Sequence, residues 1–443
     1  MLYKFHNDII IVGLLTMLFA AFFVGGRAYC LMTLVTVLSF LTQMCLLLYF
    51  SRSEDKNFSS KTLFLTTYMY SVVLGTIYMM VSYYYEGDTF MFSKSDAIFY
   101  YENSMRAADK GFIPNAKYFM DREPYDDWGA LFFDSFLMYI LPSKLFLNAI
   151  YMLTGAISSV MLFRISRHIM PDVYALCGAL AYSTSSYLIF FHCTFLKESV
   201  FVFFVICAMY YFYKAIMENS FMSYLYVILL IGVLVFFRPA VAAMIVAAIF
   251  AYYAIAKNGH AISLFLYLGV VIIFAGATKF MIESFDHYSG GSMDKMIDYG
   301  AQQNSYSGGF NYFVSLFGAI FGPFPTLFPK TEGTPITINF YGAGLTIRQF
   351  LMIPFWIGAY YAIKQKNIYL IPVLVFNLFE LLATGIMMAS LELRKVMPHI
   401  PLMYIFSSYG LYQWHKNRLS ERWLRICINS LSIGILMLWV VFR

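Results

Sequence analysis

Charge is what this sequence has least of. Asp, Glu, Lys and Arg make up only 12% of its 443 residues, whereas a soluble globular chain carries about 25%. So little charge cannot clothe a water-covered surface of this size, which excludes a soluble protein. Cysteine is scarce too. The six residues Cys30, Cys45, Cys177, Cys193, Cys207 and Cys427 lie in or beside apolar segments with no CxxC spacing. They read as small apolar side chains, which excludes a disulfide framework or a zinc site. Runs of Lys and Arg are missing, and the net charge of +6 is scattered along the chain, so a nucleic-acid partner is excluded as well. No convincing internal repeat is present, as a transporter built from repeated halves would show.

What the sequence has in abundance is apolar surface: 61% of residues are apolar, including 46 Phe and 37 Tyr, and the mean hydropathy is +0.69. Crossing a hydrocarbon core of about 30 Å takes roughly 17–25 apolar residues. Such runs lie near 8–24, 29–50, 63–84, 143–163, 173–190, 198–214, 222–237, 239–256, 261–283, 348–363, 368–390, 398–412 and 426–442. They exceed strand length and lack the alternation of a barrel, so the expected fold is an all-α, polytopic bundle of about 11–13 spans. It is expected to be one integral membrane domain over 1–443, and the first run reads as a retained span, no small-residue cleavage site following it.

Orientation follows from Lys and Arg in the short loops. Arg52, Lys56 and Lys61, then Arg164 and Arg167, Lys214, Lys257, Lys364 and Lys366, and finally Lys416, Arg418, Arg422 and Arg425 fall on one side. That side is expected to be cytoplasmic, with the N-terminus there. The two long loops, 85–142 and 284–347, then share the opposite face. The first holds ten Asp and Glu against five Lys and Arg, as an outer loop is free to do.

The chemistry-bearing residues gather on that outer face. Ser95 is placed to cap a helix running to about Asp109 and ended by Gly111, and its amphipathic pattern predicts a helix on the membrane surface. The stretch 129–141 is too short to span and is closed by Pro142, which fits an interfacial or re-entrant helix. Asp96 opens the first of these helices. A carboxylate there can serve as a general base toward a positioned hydroxyl, or simply favour the helix N-terminal dipole. Cations should be rare at outer span ends, yet Lys197, Arg238, Arg348, Arg394 and Lys395 map there. Cations at a bilayer edge are costly and seek anionic partners. As a set they point to a phosphate-bearing ligand, for which the arginine fork is suited; singly, each could snorkel to headgroups or pair locally, as Arg394 with Glu392.

Three weaker features complete the reading. Asp121, Glu123, Asp126 and Asp127 offer oxygen ligands to a divalent cation, though such runs are commonly solvated loop. The second loop mixes polar and aromatic residues (YGAQQNSYSGGFNY) in a manner suited to a sugar. Glu380 falls mid-span, as either a proton-relay acid or a structurally paired one.

Taken in order, these segments resemble the GT-C superfamily of polytopic glycosyltransferases that use polyprenyl-phosphate-linked sugars, particularly bacterial family-39-like members. The resemblance runs through most of 85–412. SDAIFYYENSMRAADKGF is similar to the opening outer loop of that superfamily, HCTFLKESVFVFFVICAMYYFY to its loop into a long aromatic span, and FFRPA to its span-ending Arg-Pro. FGPFPTLFP and LELRKVMPHIPLMYIFSSYGL are similar to its later segments. Two spans ahead of the Asp-bearing loop depart from the pattern, as does the lack of a large soluble domain after the last span. Glu198 stands where many members have Asp, and the second acid often found near the first is not evident, Glu102 being nearest.

The resemblance implies that Asp96 deprotonates an acceptor hydroxyl, which attacks the anomeric carbon with inversion. Arg238, Arg394 and Lys197 would then stabilise the departing lipid phosphate or pyrophosphate, with Glu102 and Glu198 in support. The implied partners are a polyprenyl-linked sugar or oligosaccharide and membrane lipid. The implied setting is a bacterial inner membrane, consistent with the lone Asn-x-Ser sequon, Asn57, falling on the cytoplasmic side. Repeat-unit polymerases of O-antigen and capsule share this layout. A flippase for the same lipid-linked sugars is the competing class, but apart from Glu380 the unusual charges sit at one face and not at mid-bilayer.

Overall fold

The computed structural model describes residues 9–11, 13–14, 30–51, 59–90, 94–123, 125–256, 340, 342–382, 397–417, 426–432 and 434. The described part is all-helical, without a strand. In chain order its helices are α1 (Cys30–Ser51), α2 (Ser60–Glu86), α3 (Lys94–Lys110), α4 (Phe112–Met120), α5 (Tyr125–Ile140), α6 (Lys144–Ser166), α7 (Asp172–Ser183) and α8 (Ser186–Cys193). They continue with α9 (Lys197–Glu218), α10 (Phe221–Val235), α11 (Pro239–Ala256), α12 (Gly342–Lys364), α13 (Ile371–Leu382) and α14 (Ile400–Lys416).

Among the described residues, α2, α6 and α9 are long and apolar enough to cross a membrane. Shorter apolar helices lie at 34–50, 221–235, 239–255 and 368–381. The expected span at 173–190 is a broken one: α7 and α8 meet at a 41° bend across Ser183–Thr184–Ser185–Ser186, all buried. A helix break inside a membrane bundle needs its backbone groups satisfied by neighbours. Here Gln43 Nε2 donates to the Ala181 carbonyl at 3.1 Å; in addition the Ser186 hydroxyl ties the break to α12 by accepting from the Gly344 amide at 2.7 Å. Glycine at 344 is what lets α12 come this close, because a Cβ would collide with Ser185.

Helices α12 and α14 cross by the same device. A Cβ on Gly410 would strike the Pro354 carbonyl, and one on Gly358 the Phe406 carbonyl. Small residues allow such backbone approach where helices cannot rely on hydrophobic exclusion from water.

The connection between α2 and α6 runs over one end of the bundle, here called the site end. Instead of the two expected surface helices there are three, and the first begins at Lys94, so that Ser95 lies within its first turn. Gly111, at φ 87°, closes α3 and opens α4, a conformation only glycine adopts without strain. Helix α5 packs against α3, α4 and α9. Its C-terminus leads through Leu141–Ser143 into α6, and its N-terminus is fastened to the α10–α11 turn. There the Gly129 amide donates to the Phe236 carbonyl at 2.8 Å and Trp128 stacks on Phe236. Cys45, Cys177, Cys193, Cys207 and Cys427 are free thiols.

Candidate active site at one end of the bundle

Three local arrangements bring charge to the site end. The α8–α9 turn is the first. Phe195 takes φ 55°, a rare conformation for a bulky side chain that costs on the order of 1–3 kcal/mol. It is held by complete burial and by ring contacts with Phe90, Tyr101 and Tyr151. Lys144 lies over the Phe90 ring at 3.2 Å and near that of Phe195. The turn starts α9 at Lys197, so Lys197 and Glu198 occupy its first turn, where the helix dipole favours the Glu198 carboxylate.

The second arrangement is the α10–α11 turn, where Pro239 opens α11 and Arg238 precedes it. Arg238 Nη2 donates to Glu198 Oε1 at 3.4 Å, with Glu198 2% exposed and Arg238 22% exposed. Glu380, buried on α13, lies within electrostatic reach of Arg238. The residue expected as an isolated mid-span acid thus belongs to this group.

The third is α3. Asp96 in its first turn and Tyr100 one turn later share a helix face. Tyr100 Oη donates to Asp127 Oδ1 at 2.6 Å, and Lys197 Nζ donates to the same oxygen at 2.6 Å. Burial, followed by the carboxylates of Asp127 and Glu198 and, more weakly, Asp96, holds the Tyr100 hydroxyl well above the usual phenol range. Tyr100 therefore stays a hydrogen-bond donor. These contacts run unbroken from the turn bearing Asp96 to Arg238, through Tyr100, Asp127, Lys197 and its neighbour Glu198.

Of the residues expected from sequence, Asp96, Lys197, Glu198 and Arg238 are brought to one place. Glu102 is exposed, roughly 120° around α3 from Asp96 and about 9 Å along it. Arg394 and Lys395 lie outside the described residues. Arg348 is 1% exposed on α12. Its Nη2 donates to His399 Nε2 at 3.3 Å, which leaves the ring proton on Nδ1. Its Nε and Nη1, like that His399 Nδ1, have no partner among the described residues.

The acidic loop residues divide. Asp127 is committed to Lys197 and Tyr100, Asp121 is exposed at the end of α4, and the Asp126 side chain is outside the described residues. Among the described residues no group of three or more His, Cys, Asp or Glu is placed to hold a metal. Sequence reasoning missed two members. Tyr100 is one tyrosine among many, and only its spacing of four from Asp96 marks it. Asp127 was legible only as part of an acidic run.

Comparison with known proteins adds to this geometry. Residues 131–282 match the family described as dolichyl-phosphate-mannose-protein mannosyltransferase. No curated protein sequence matches the chain. The fold is similar to the crystal structure of the Archaeoglobus fulgidus oligosaccharyltransferase in the apo form, at TM-score 0.50 and 14% identity, over 87% of this chain and 55% of that one. An archaeal oligosaccharyltransferase from the same organism, in complex with an inhibitory peptide and a dolichol-phosphate, aligns at TM-score 0.45 and 13% identity, over 86% and 55% of the two chains. The chain thus spans about half the length of the solved structures it matches. The family match and the shared fold together bear out the resemblance to the GT-C superfamily of membrane glycosyltransferases.

Proposed function

We propose that the chain is a membrane glycosyltransferase that takes a sugar from a polyprenyl-phosphate- or pyrophosphate-linked donor. It acts at the non-cytoplasmic face of a bacterial inner membrane, in assembly of a cell-surface polysaccharide. The observation that carries this reading is the convergence of Asp96, Lys197, Glu198 and Arg238 at one end of an apolar bundle.

In the proposed step Asp96 takes the proton of an acceptor hydroxyl. The acceptor oxygen forms a bond to the donor's anomeric carbon, and the bond from that carbon to the phosphate oxygen breaks. The electron pair leaves with the lipid phosphate, and a single displacement of this kind inverts the anomeric centre. Charge develops on the leaving oxygen, where fixed cations act most strongly. Arg238 and Lys197 fill that role, each released in part from Glu198 or Asp127 as the phosphate arrives. Arg348 keeps free donors for an anion, and Arg394 and Lys395 belong to the same set of outer cations. Glu198 and Asp127 orient the two cations, while Glu102 lies too far around α3 to help directly.

The test is transfer from a polyprenyl-phosphate-linked donor by the reconstituted chain. Asp96→Asn is expected to lower turnover by about 10²–10⁴-fold, the range general-base removal covers. Arg238→Ala is expected to lower it by about 10²-fold or more. Wild-type turnover in both variants would refute the mechanism.

A further inference from the structure

The first loop separates its charges. Of its five cations, Arg106, Lys110, Lys117 and Arg122 fall between positions 106 and 122, where the only acids are Asp109 and Asp121. The loop's other eight acids lie outside that stretch, and two of them, Asp96 and Asp127, are in the site just described. This basic segment covers the last turn of α3 and helix α4, and it contributes no residue to that site.

Two of its arginines converge on one ring. The Arg106 guanidinium carbon lies 4.4 Å from the Tyr118 ring centre, and that of Arg122 lies 4.3 Å from it. Arg122 Nη1 also donates to Tyr118 Oη at 2.7 Å. A hydrogen bond from Arg106 lowers the Tyr118 hydroxyl below its ordinary value. Among the described residues no carboxylate forms an ion pair with either arginine. Bringing two like charges onto one ring is unfavourable unless an anion stands between or beside them, and two planar forks set close together match the oxygens of a phosphate.

What flanks the pair identifies the source of that phosphate. Helix α4 exposes Ile113 (77%) and Met120 (42%), and the end of α5 exposes Phe136, Tyr139 and Ile140. Phe112 joins the two helices by packing on Phe136, and α5 runs directly into the span α6. Exposed apolar side chains beside a span, bordered by arginines, form the pattern of an element lying in the bilayer interface. Its apolar groups enter the acyl boundary and its guanidiniums stay at headgroup depth.

We propose that Arg106 and Arg122, stacked on Tyr118, hold the phosphate of an anionic phospholipid and seat the α3–α5 hairpin on the membrane surface. This lipid is distinct from any sugar donor, and the inference stands or falls independently of the transfer assay.

The experiment uses the full chain in nanodiscs of phosphatidylcholine and phosphatidylglycerol, with lipid retained after mild extraction counted by native mass spectrometry. Wild-type protein should retain phosphatidylglycerol preferentially. Each of Arg106→Gln and Arg122→Gln should lower that retention about fivefold, the share one surface cation contributes. Retention by wild type should also fall as salt is raised, a measurement that needs no variant to fold. Three results would overturn the proposal: retention unchanged in the double variant, a preference insensitive to salt, or displacement of the lipid by soluble glycerol phosphate or an acidic polysaccharide.

Discussion

In the candidate site the two cations Lys197 and Arg238 each meet an opposite charge: Lys197 meets Asp127, and Arg238 meets Glu198 with Glu380 in reach. Arg348 on α12 meets the His399 imidazole and no carboxylate among the described residues, and it is more completely enclosed than either. The contrast separates two uses of buried charge. A paired network orients its members, and removing one leaves another stranded. An arginine without a carboxylate stabilises little by itself, and its donors remain for something else. Replacing a buried ion with an apolar side chain of similar volume is often neutral or stabilising, whereas deleting one partner of a pair costs about 3–5 kcal/mol.

The sharpest way to break the contrast is Glu198→Ala. It should lower stability by about 3 kcal/mol, the lower end for a buried pair because Arg238 keeps 22% exposure. Thermal unfolding in detergent measures this, and a loss under about 1 kcal/mol would place the pair among ordinary surface bridges. Next comes Gly410→Val, which drives a side chain into the Pro354 carbonyl and levers α14, with His399, away from Arg348. Overpacking of this kind costs about 1–3 kcal/mol, and a melting temperature equal to wild type would contradict the close crossing. Arg348→Met should leave stability within about 1 kcal/mol of wild type or raise it, while transfer is lost. A large destabilisation would mean that Arg348 is structural and not poised for a ligand.

A pH-dependent effect is expected at Asp134 on α5. It is fully buried, bonded by Tyr151 at 2.9 Å, and its other oxygen has no partner among the described residues. Burial raises its carboxyl from the ordinary 3.8 to about 8, against a weaker lowering by Tyr151. The folded protein thus keeps a proton that the unfolded chain has released. The contribution of Asp134 to stability is greatest below about pH 4, falls as the pH rises toward 8, and is constant above. Asp134→Asn should flatten melting temperature against pH over that window, and parallel curves for the two proteins would refute the assignment.

These comparisons mark how much was legible beforehand. Lys197, Glu198 and Arg238 stood out because ions at the ends of apolar runs are expensive, and Asp96 because it opens an amphipathic helix in an outer loop. Their pairing was not legible, since it depends on the Phe195 turn and on Gly129 docking α5 against the α10–α11 turn. Glu380 looked isolated because sequence distance hides its approach to Arg238. The run STSS carried a signal for the break between α7 and α8, but it was masked by the apolar residues on either side.

The sequence by itself determined that the chain is helical and membrane-embedded, because composition and run length depend on no long-range contact. It also determined which charged side chains are out of place for such an environment. Only the tertiary structure decided which of them share a site, since helix packing and two tight turns set those distances. The same packing set Arg348 against the His399 imidazole, a contact that sequence separation had hidden.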